Sequence, residues 1–323
     1  MQLIQIDVNQ IPELEETAAC IGFFDGMHKG HQELLKRTKK TAKRKQIQSA
    51  IITFEPDPWA VFYPQKELHH LFTLADKVHF AEYMKFDFVY VIHFTKELAS
   101  LDINQFHEML YQMHIHSLIC GFDFRYAAKN TGNVQTLREQ SYFDVIVVDS
   151  INDRSIKISS SRIEPLILQG QVLKANRLCG FAYSIEGIVC HGFKRGSTIL
   201  GIPTANLDVN NEYVVPVVGV YAGMVSVGDQ MYGAMINIGN NPTFENKIQT
   251  IEANLFNFND DIYDQTVRFY FLDKIRDEKK FSSAKELKTQ LLNDIERSKK
   301  RLIALEKLCN KTCDVWQKQH FQF

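Results

Sequence analysis

Near Cys179 the hydrophobic rhythm of this chain changes, and different architectures follow on either side. Before it, short apolar β-branched runs alternate with longer amphipathic stretches over about 170 residues, the order expected of a parallel, doubly wound sheet. Residues 49–54 (SAIITF), 86–94 (FDFVYVIHF), 118–120 and 145–148 read as buried strands, and residues 31–45, 73–84, 104–114 and 158–168 as helices. Residues 55–58, Glu-Pro-Asp-Pro, read as a loop because proline removes a backbone donor. From Tyr183 onward, runs such as SIEGIVC, EYVVPVVGVYAGMVSV and TVRFYFL are short, often alternating, and separated by Gly, Asn, Asp and Pro. That is the pattern of an antiparallel β-barrel or sandwich. A helix closes the chain: Ser283 and Glu286 have capping-box spacing, and Leu287, Leu291 and Ile295 form one apolar stripe. The 323 residues suffice for two cores, and the expected boundary near residue 180 gives domains 1–180 and 181–323.

Charge and cysteine usage narrow the function classes. Lys plus Arg number 37 against 38 Asp plus Glu, a balance that argues against a dedicated nucleic-acid or polyanion binder. Cys20, Cys120, Cys179, Cys190, Cys309 and Cys313 show no C-x-x-C pair and read as buried free thiols. No apolar run reaches the roughly 18 residues of a membrane span, and the N-terminus lacks a basic segment before an apolar core. The expectation is a soluble, cytoplasmic protein that acts on small molecules, with no nucleic-acid or membrane partner. The sequence leaves a homo-oligomer open.

Two stretches carry chemistry. In residues 21–33, IGFFDGMHKGHQE, Gly26 and Gly30 sit where a tight strand-to-helix turn needs them. His28 and His31, three residues apart, can point at one small volume beside a helix N-terminus, which favours phosphate. Nucleotidyl transfer needs little more than such positioning and charge. A bare H-x-G-H is more often a glycine turn with two surface histidines; the preceding strand and G-F-F-D-G supply the context for the functional reading. In residues 191–207, HGFKRGSTILGIPTANL, Gly192 and Gly196 bracket Lys194 and Arg195, a loop able to fold over ATP phosphates but unlike the lysine-bearing P-loop. Thr204 and Asn206 offer two hard oxygen donors suited to Mg²⁺ held mainly by nucleotide phosphates, although PTAN alone is an ordinary turn.

From IGFFDGMHKGH through TFEPDP, GFDFRY, ISSSRI, HGFKRGSTILGIPTANL, GVYAG, NIGNNPTF and IEANLFNFNDDIY to IRDEKKF, the chain resembles the prokaryotic bifunctional riboflavin kinase/FAD synthetases. The resemblance implies an N-terminal doubly wound nucleotidyltransferase domain that joins AMP from ATP to FMN, and a C-terminal antiparallel β-barrel kinase domain that phosphorylates riboflavin. ATP and Mg²⁺ are the implied cofactors, with riboflavin and FMN as substrates. For the adenylyltransferase it implies catalytic His28 and His31, with Gly22, Phe24, Asp25 and Gly26 around ATP. Lys77, Ser159, Ser160 and Arg162 are implied on the same ATP, and Asp123, Phe124 and Arg125 at flavin. For the kinase it implies Gly192, Lys194, Arg195 and Gly196 over ATP, Thr204 and Asn206 at the metal, and Glu252 as general base. An isolated glutamate on such a strand would otherwise be a solvated face. Arg276 and Phe281 resemble the region that closes over the kinase's flavin.

Three positions depart from the family pattern. Asp57 stands where TFEPHP has histidine, Glu164 where ISSTxxR has its arginine, and Ala127 where D-F-R-F-G has glycine. A reversed unit charge about 4 Å from a triphosphate is worth roughly 1 to 4 kcal/mol. Arg162 is the residue placed to substitute in part. The readings are therefore a full bifunctional enzyme, a kinase with a weak or inactive adenylyltransferase half, and a non-catalytic flavin sensor. Thr204, Asn206 and Glu252 together count against the last.

Overall fold

Apolar, β-branched strands flanked by amphipathic helices build the first of two units, Met1–Ser159 and Ser160–Phe323. The computed structural model describes residues 1–190, 204–209, 212–242 and 247–319. The first unit's sheet comprises β1 (Gln2–Ile6), β2 (Thr17–Ile21), β3 (Gln48–Glu55), β4 (Phe88–His93), β5 (Ile115–Gly121) and β6 (Asp144–Val148). All neighbours are parallel, in spatial order β1-β4-β3-β2-β5-β6. β2 is buried along its whole length, as a central strand covered on both faces must be. Ala19, Ile21, Ile52, Tyr90, Ile92 and Leu118 meet in one core cluster.

The connecting helices are α1 (Lys29–Lys45), α2 (Pro58–Phe62), α3 (Leu74–Tyr83), α4 (Lys96–Ser100), α5 (Ile103–Gln112) and α6 (Val134–Glu139), followed by the short hairpin β7 (Asn152–Asp153) and β8 (Ile156–Lys157). In α1 the buried residues Leu34, Leu35, Thr38, Thr41 and Ala42 recur at helical spacing, and the lysines fall on the other side. Capping boxes start α3 at Thr73 with Asp76 and α5 at Asp102 with Gln105. The Glu-Pro-Asp-Pro segment is more ordered than its prolines suggest. β3 runs through Glu55, and Pro58 opens α2, where a missing N–H leaves no intrahelical bond unmade. The sequence reading passed over β1, whose apolar residues alternate along an edge.

The second unit holds α7 (Ser160–Leu168), α8 (Val172–Cys179) and a closed antiparallel barrel. The barrel strands are β9 (Tyr183–Cys190), β10 (Ala205–Val209), β11 (Gly219–Val227), β12 (Gln230–Pro242), β13 (Lys247–Leu255) and β14 (Thr266–Arg276), closed in order β10-β13-β12-β11-β14-β9. The division at Ser159 falls ahead of the expected boundary near residue 180, because α8 belongs to the barrel. Buried Asn176 donates to Phe271 O at 2.8 Å and accepts from Tyr183 N–H at 2.8 Å. Helices Ala284–Ala304 and Glu306–Val315 end the unit. Ser283 caps the first of them, but Glu286 closes back onto Ser282 rather than onto Ser283, so the expected capping box is displaced by one residue. The Leu287, Leu291 and Ile295 stripe is only half-buried, while Asp294, Ser298 and Leu302 lie deeper. On the second closing helix, Thr312 Oγ1 accepts from Ala182 N–H at 2.9 Å and Cys309 and Cys313 are fully buried.

Ala127 adopts φ 60°, ψ 177°, a region natural only to glycine. It is held there between Tyr126, whose hydroxyl lies 2.6 Å from His107 Nε2 and 2.8 Å from Thr136 Oγ1, and Ala128, whose N–H donates to Leu101 O at 2.8 Å. Ala127→Gly should therefore stabilise the first unit by about 1 kcal/mol, raising its thermal midpoint by about 2–4 °C in calorimetry. A lowered midpoint would show that the alanine is not strained.

Candidate functional site

From β2 the chain steps outward to β3 and β4 on one side, and later to β5 and β6 on the other. The carboxyl ends of β2 and β5 thus flank the topological switch point, where open α/β sheets bind ligands. The turn after β2 is tightly wound: Gly26 has φ +77°, and Phe24 and Met27 also take positive φ, 56° and 40°. Their side chains are buried at 1% and 0% exposure, which holds that strain in place. Asp25 Oδ1 accepts from Phe72 N–H at 2.9 Å and so ties the turn to the start of α3.

His28 is the N-cap of α1, its Nδ1 accepting from His31 N–H at 3.3 Å. In the neutral ring the proton is then on Nε2, a donor. The His28 and His31 rings stack with centroids 3.7 Å apart and 20° between planes, and Phe24 meets His31 edge-on at 5.3 Å. Gly30 lies in the first turn of α1, so its role differs from the turn-making one expected. A Cβ there would come within 3.0 Å of His28 Cε1, and glycine leaves the ring its place. Burial, then the charge of Lys157, holds the His28 imidazole down to about 4. Burial, His28, Lys77 and Lys157 hold His31 well below the usual histidine range. Both rings are neutral at pH 7.

Lys77, on α3, is buried at 3% exposure with Nζ 3.6 Å above the Phe23 ring centroid. Burial lowers its pKa, and the carboxylates of Asp25, Glu55, Asp57 and Asp76 act in the opposite sense. Asp123 pairs with Lys157, whose Nζ lies 5.0 Å from the Phe122 centroid. Phe124 stacks on Tyr126 at 5.7 Å, and Arg125 is exposed. Gly22 lies against the Phe24 ring. Ser159 ends the first unit, and Ser160 and Arg162 are in the first turn of α7. Two residues near the histidine turn were not singled out by the sequence: Lys157, whose charge acts on His28 and His31, and His70, whose ring lies 5.4 Å from that of Phe23. Nothing in spacing singles out His70, while Lys157 immediately precedes ISSSRI and was legible as a charge beside a recognised block.

In the barrel, register assembles the second set. Asn206 on β10 pairs with Glu252 on β13, and Glu252 pairs with Asn237 on β12. Directly paired residues share a face, so these three half-buried side chains form one polar row. Their strand neighbours Leu207, Ile251, Ala253, Ile236 and Ile238 are buried on the opposite, core face. Thr204 immediately precedes β10 and lines a cavity of about 210 Å³ together with Leu255, Phe258, Ile262 and Tyr263. Gly192, Lys194, Arg195 and Gly196 lie outside the described residues. Arg276 grips the first closing helix: its Nε and Nη2 both reach Asp294 Oδ2 at 2.8 Å, with Phe281 5.8 Å from the guanidinium.

The FAD synthetase family model matches residues 10–162 and the riboflavin kinase family model residues 179–302. A bifunctional riboflavin kinase/FMN adenylyltransferase from Bacillus subtilis is 37% identical over 289 residues, covering 87% of this chain and 91% of that protein. The chain belongs to the bifunctional riboflavin kinase/FMN adenylyltransferase family. The Haemophilus influenzae member is 35% identical over 308 residues, 93% of this chain and 98% of its own. A crystal structure described as a macrolide-efflux protein from Streptococcus pneumoniae matches with a TM-score of 0.86 and 34% identity, over 92% of this chain and 98% of that one. Among the described residues no helix is long and apolar enough to cross a membrane.

The family's adenylyltransferase reaction offers a readout for the packing of the histidine turn. Gly30→Ala should push the His28 ring out of its stack and lower FAD formation from FMN and ATP roughly tenfold, with FMN formation from riboflavin unchanged. Undiminished FAD formation would show that the stack is dispensable.

Proposed function

We propose that the barrel phosphorylates riboflavin through Thr204, Asn206 and Glu252, and that the turn carrying His28 and His31 serves transfer of AMP from ATP to FMN. The proposal divides the activities at about residue 180, adenylyl transfer in residues 1–180 and the kinase in residues 181–323, with α8 acting only as a structural support of the barrel. The observation that carries it is the register of β10 on β13, which sets the Asn206 amide opposite the Glu252 carboxylate, two residues on from Thr204. In the kinase, Glu252 takes the proton of riboflavin's primary ribityl hydroxyl as that oxygen attacks the γ-phosphorus and ADP departs. The Thr204 hydroxyl and Asn206 amide oxygen fit Mg²⁺, a hard cation that prefers a few oxygen ligands and takes the rest from phosphate. When bound, it neutralises charge on the transferring phosphate. The cavity beside Thr204, with aromatic and aliphatic walls, suits the nucleobase of the same ATP.

In the adenylyltransferase, an FMN phosphate oxygen attacks the α-phosphorus and pyrophosphate leaves. The attacking oxygen is already ionised, so no general base is needed. His28 donates through Nε2–H to the reacting phosphate as its charge grows, and His31 stands beside it. Lys77 and Lys157 add positive charge on the same unit. A second reading, a kinase with a weak adenylyltransferase half, draws on Asp57, Ala127 and Glu164. The six free cysteines support a reducing, cytoplasmic setting.

Incubation of the purified protein with riboflavin, ATP and Mg²⁺, with flavins resolved over time, should yield FMN and then FAD. FMN alone would favour the second reading, and neither product would overturn both. Glu252→Gln should lower FMN formation by roughly 10²-fold or more while ATP binding persists. Unchanged turnover would remove Glu252 from the reaction.

A further inference from the structure

Asp57 divides its carboxylate between two tasks. Oδ1 accepts from Trp59 N–H at 2.6 Å and caps α2, while Oδ2 lies 3.7 Å from His70 Nδ1. The two side chains are 10% and 20% exposed, so the pair is largely withdrawn from solvent. The His70 ring is 5.4 Å from that of Phe23, and Phe23 also carries the Lys77 ammonium at 3.6 Å. Phe23 belongs to the turn that leads into His28. His70, on the approach to α3, and Lys77, on α3, therefore meet the turn after β2 at one aromatic ring at the carboxyl edge of the sheet, and Asp57, just beyond β3, joins them through His70.

From this convergence we infer that His70, oriented by Asp57, is a catalytic donor to the pyrophosphate portion of ATP in adenylyl transfer. The inference rests on the adenylyltransferase reading of the first unit. With Nδ1 turned to the Asp57 carboxylate, a ring carrying protons on both nitrogens presents Nε2–H to a phosphate oxygen. Asp57 is a positioning residue: it fixes the ring, and its negative charge is met by histidine rather than by substrate. As the FMN oxygen bonds to the α-phosphorus, the bond from that phosphorus to the bridging oxygen breaks and its electron pair leaves with pyrophosphate. The His70 N–H stabilises that added charge without giving up its proton.

The test follows both activities in the full-length protein. His70→Ala should lower kcat/KM for ATP in FAD formation at least about tenfold and weaken inhibition by inorganic pyrophosphate, while FMN formation from riboflavin is retained. Asp57→Asn should lower FAD formation by a smaller factor and have no effect in the His70→Ala background, because it acts through that ring. His70→Gln, which keeps an amide donor, covers the case in which the alanine variant does not fold, and should retain part of the pyrophosphate inhibition. A wild-type protein that makes FAD with His70→Ala unimpaired overturns the inference alone, as would independent, multiplying effects of the two substitutions. A wild-type protein that makes no FAD overturns the adenylyltransferase reading and this inference with it.

Discussion

Two imidazoles stacked 3.7 Å apart beside a helix N-terminus cannot both be charged at neutral pH, and that restriction governs the first unit's site. Neutral His28 can accept from His31 N–H through Nδ1 and so cap α1 while its Nε2–H remains a donor. A charged ring would lose that acceptor and with it the cap. The stack also depends on the strained backbone before it. Phe24 and Met27 at positive φ, locked by burial, bring the chain round sharply enough to set His28 against the helix axis. Cap, turn and donor geometry are thus one structural unit.

The two halves reach their chemistry by different routes. The first unit gathers groups at the carboxyl ends of parallel strands, so residues distant in sequence, Phe23, Asp57, His70 and Lys77, meet at one edge. The barrel uses register alone: a one-residue slip of β13 on β10 would turn Glu252 to the other face and bury it in the core. The departures from the family pattern also take on local meaning. Asp57 is an N-cap paired with histidine, and Ala127 holds a glycine conformation under the Tyr126, His107 and Thr136 network.

Much of this was legible in the sequence. The alternation of strand and helix signals indicated the parallel sheet, and the short alternating runs after Tyr183 indicated the barrel. The histidine turn stood out because glycine, histidine and a preceding apolar strand coincide within a few residues. What sequence could not show depends on tertiary contact. Asn176 assigns α8 to the barrel through bonds to β14 and β9, a link across 95 residues. Gly30 makes room for a ring rather than a turn, and Arg276 anchors Asp294 of the closing helix. β1 escaped notice because an edge strand need bury only part of its side chains.

The claim that the histidine stack is a neutral, capping pair is tested most directly by NMR titration of the imidazole nitrogens and carbons. His28 should remain the neutral Nε2–H tautomer throughout the neutral range and take up its proton only near pH 4. Because its pKa is lowered by folding, the stabilisation it carries is complete above the ordinary value of 6.5 and fades as pH falls toward 4. A His28 signal that titrates near 6.5, or one that carries its proton on Nδ1 at neutral pH, would contradict the account.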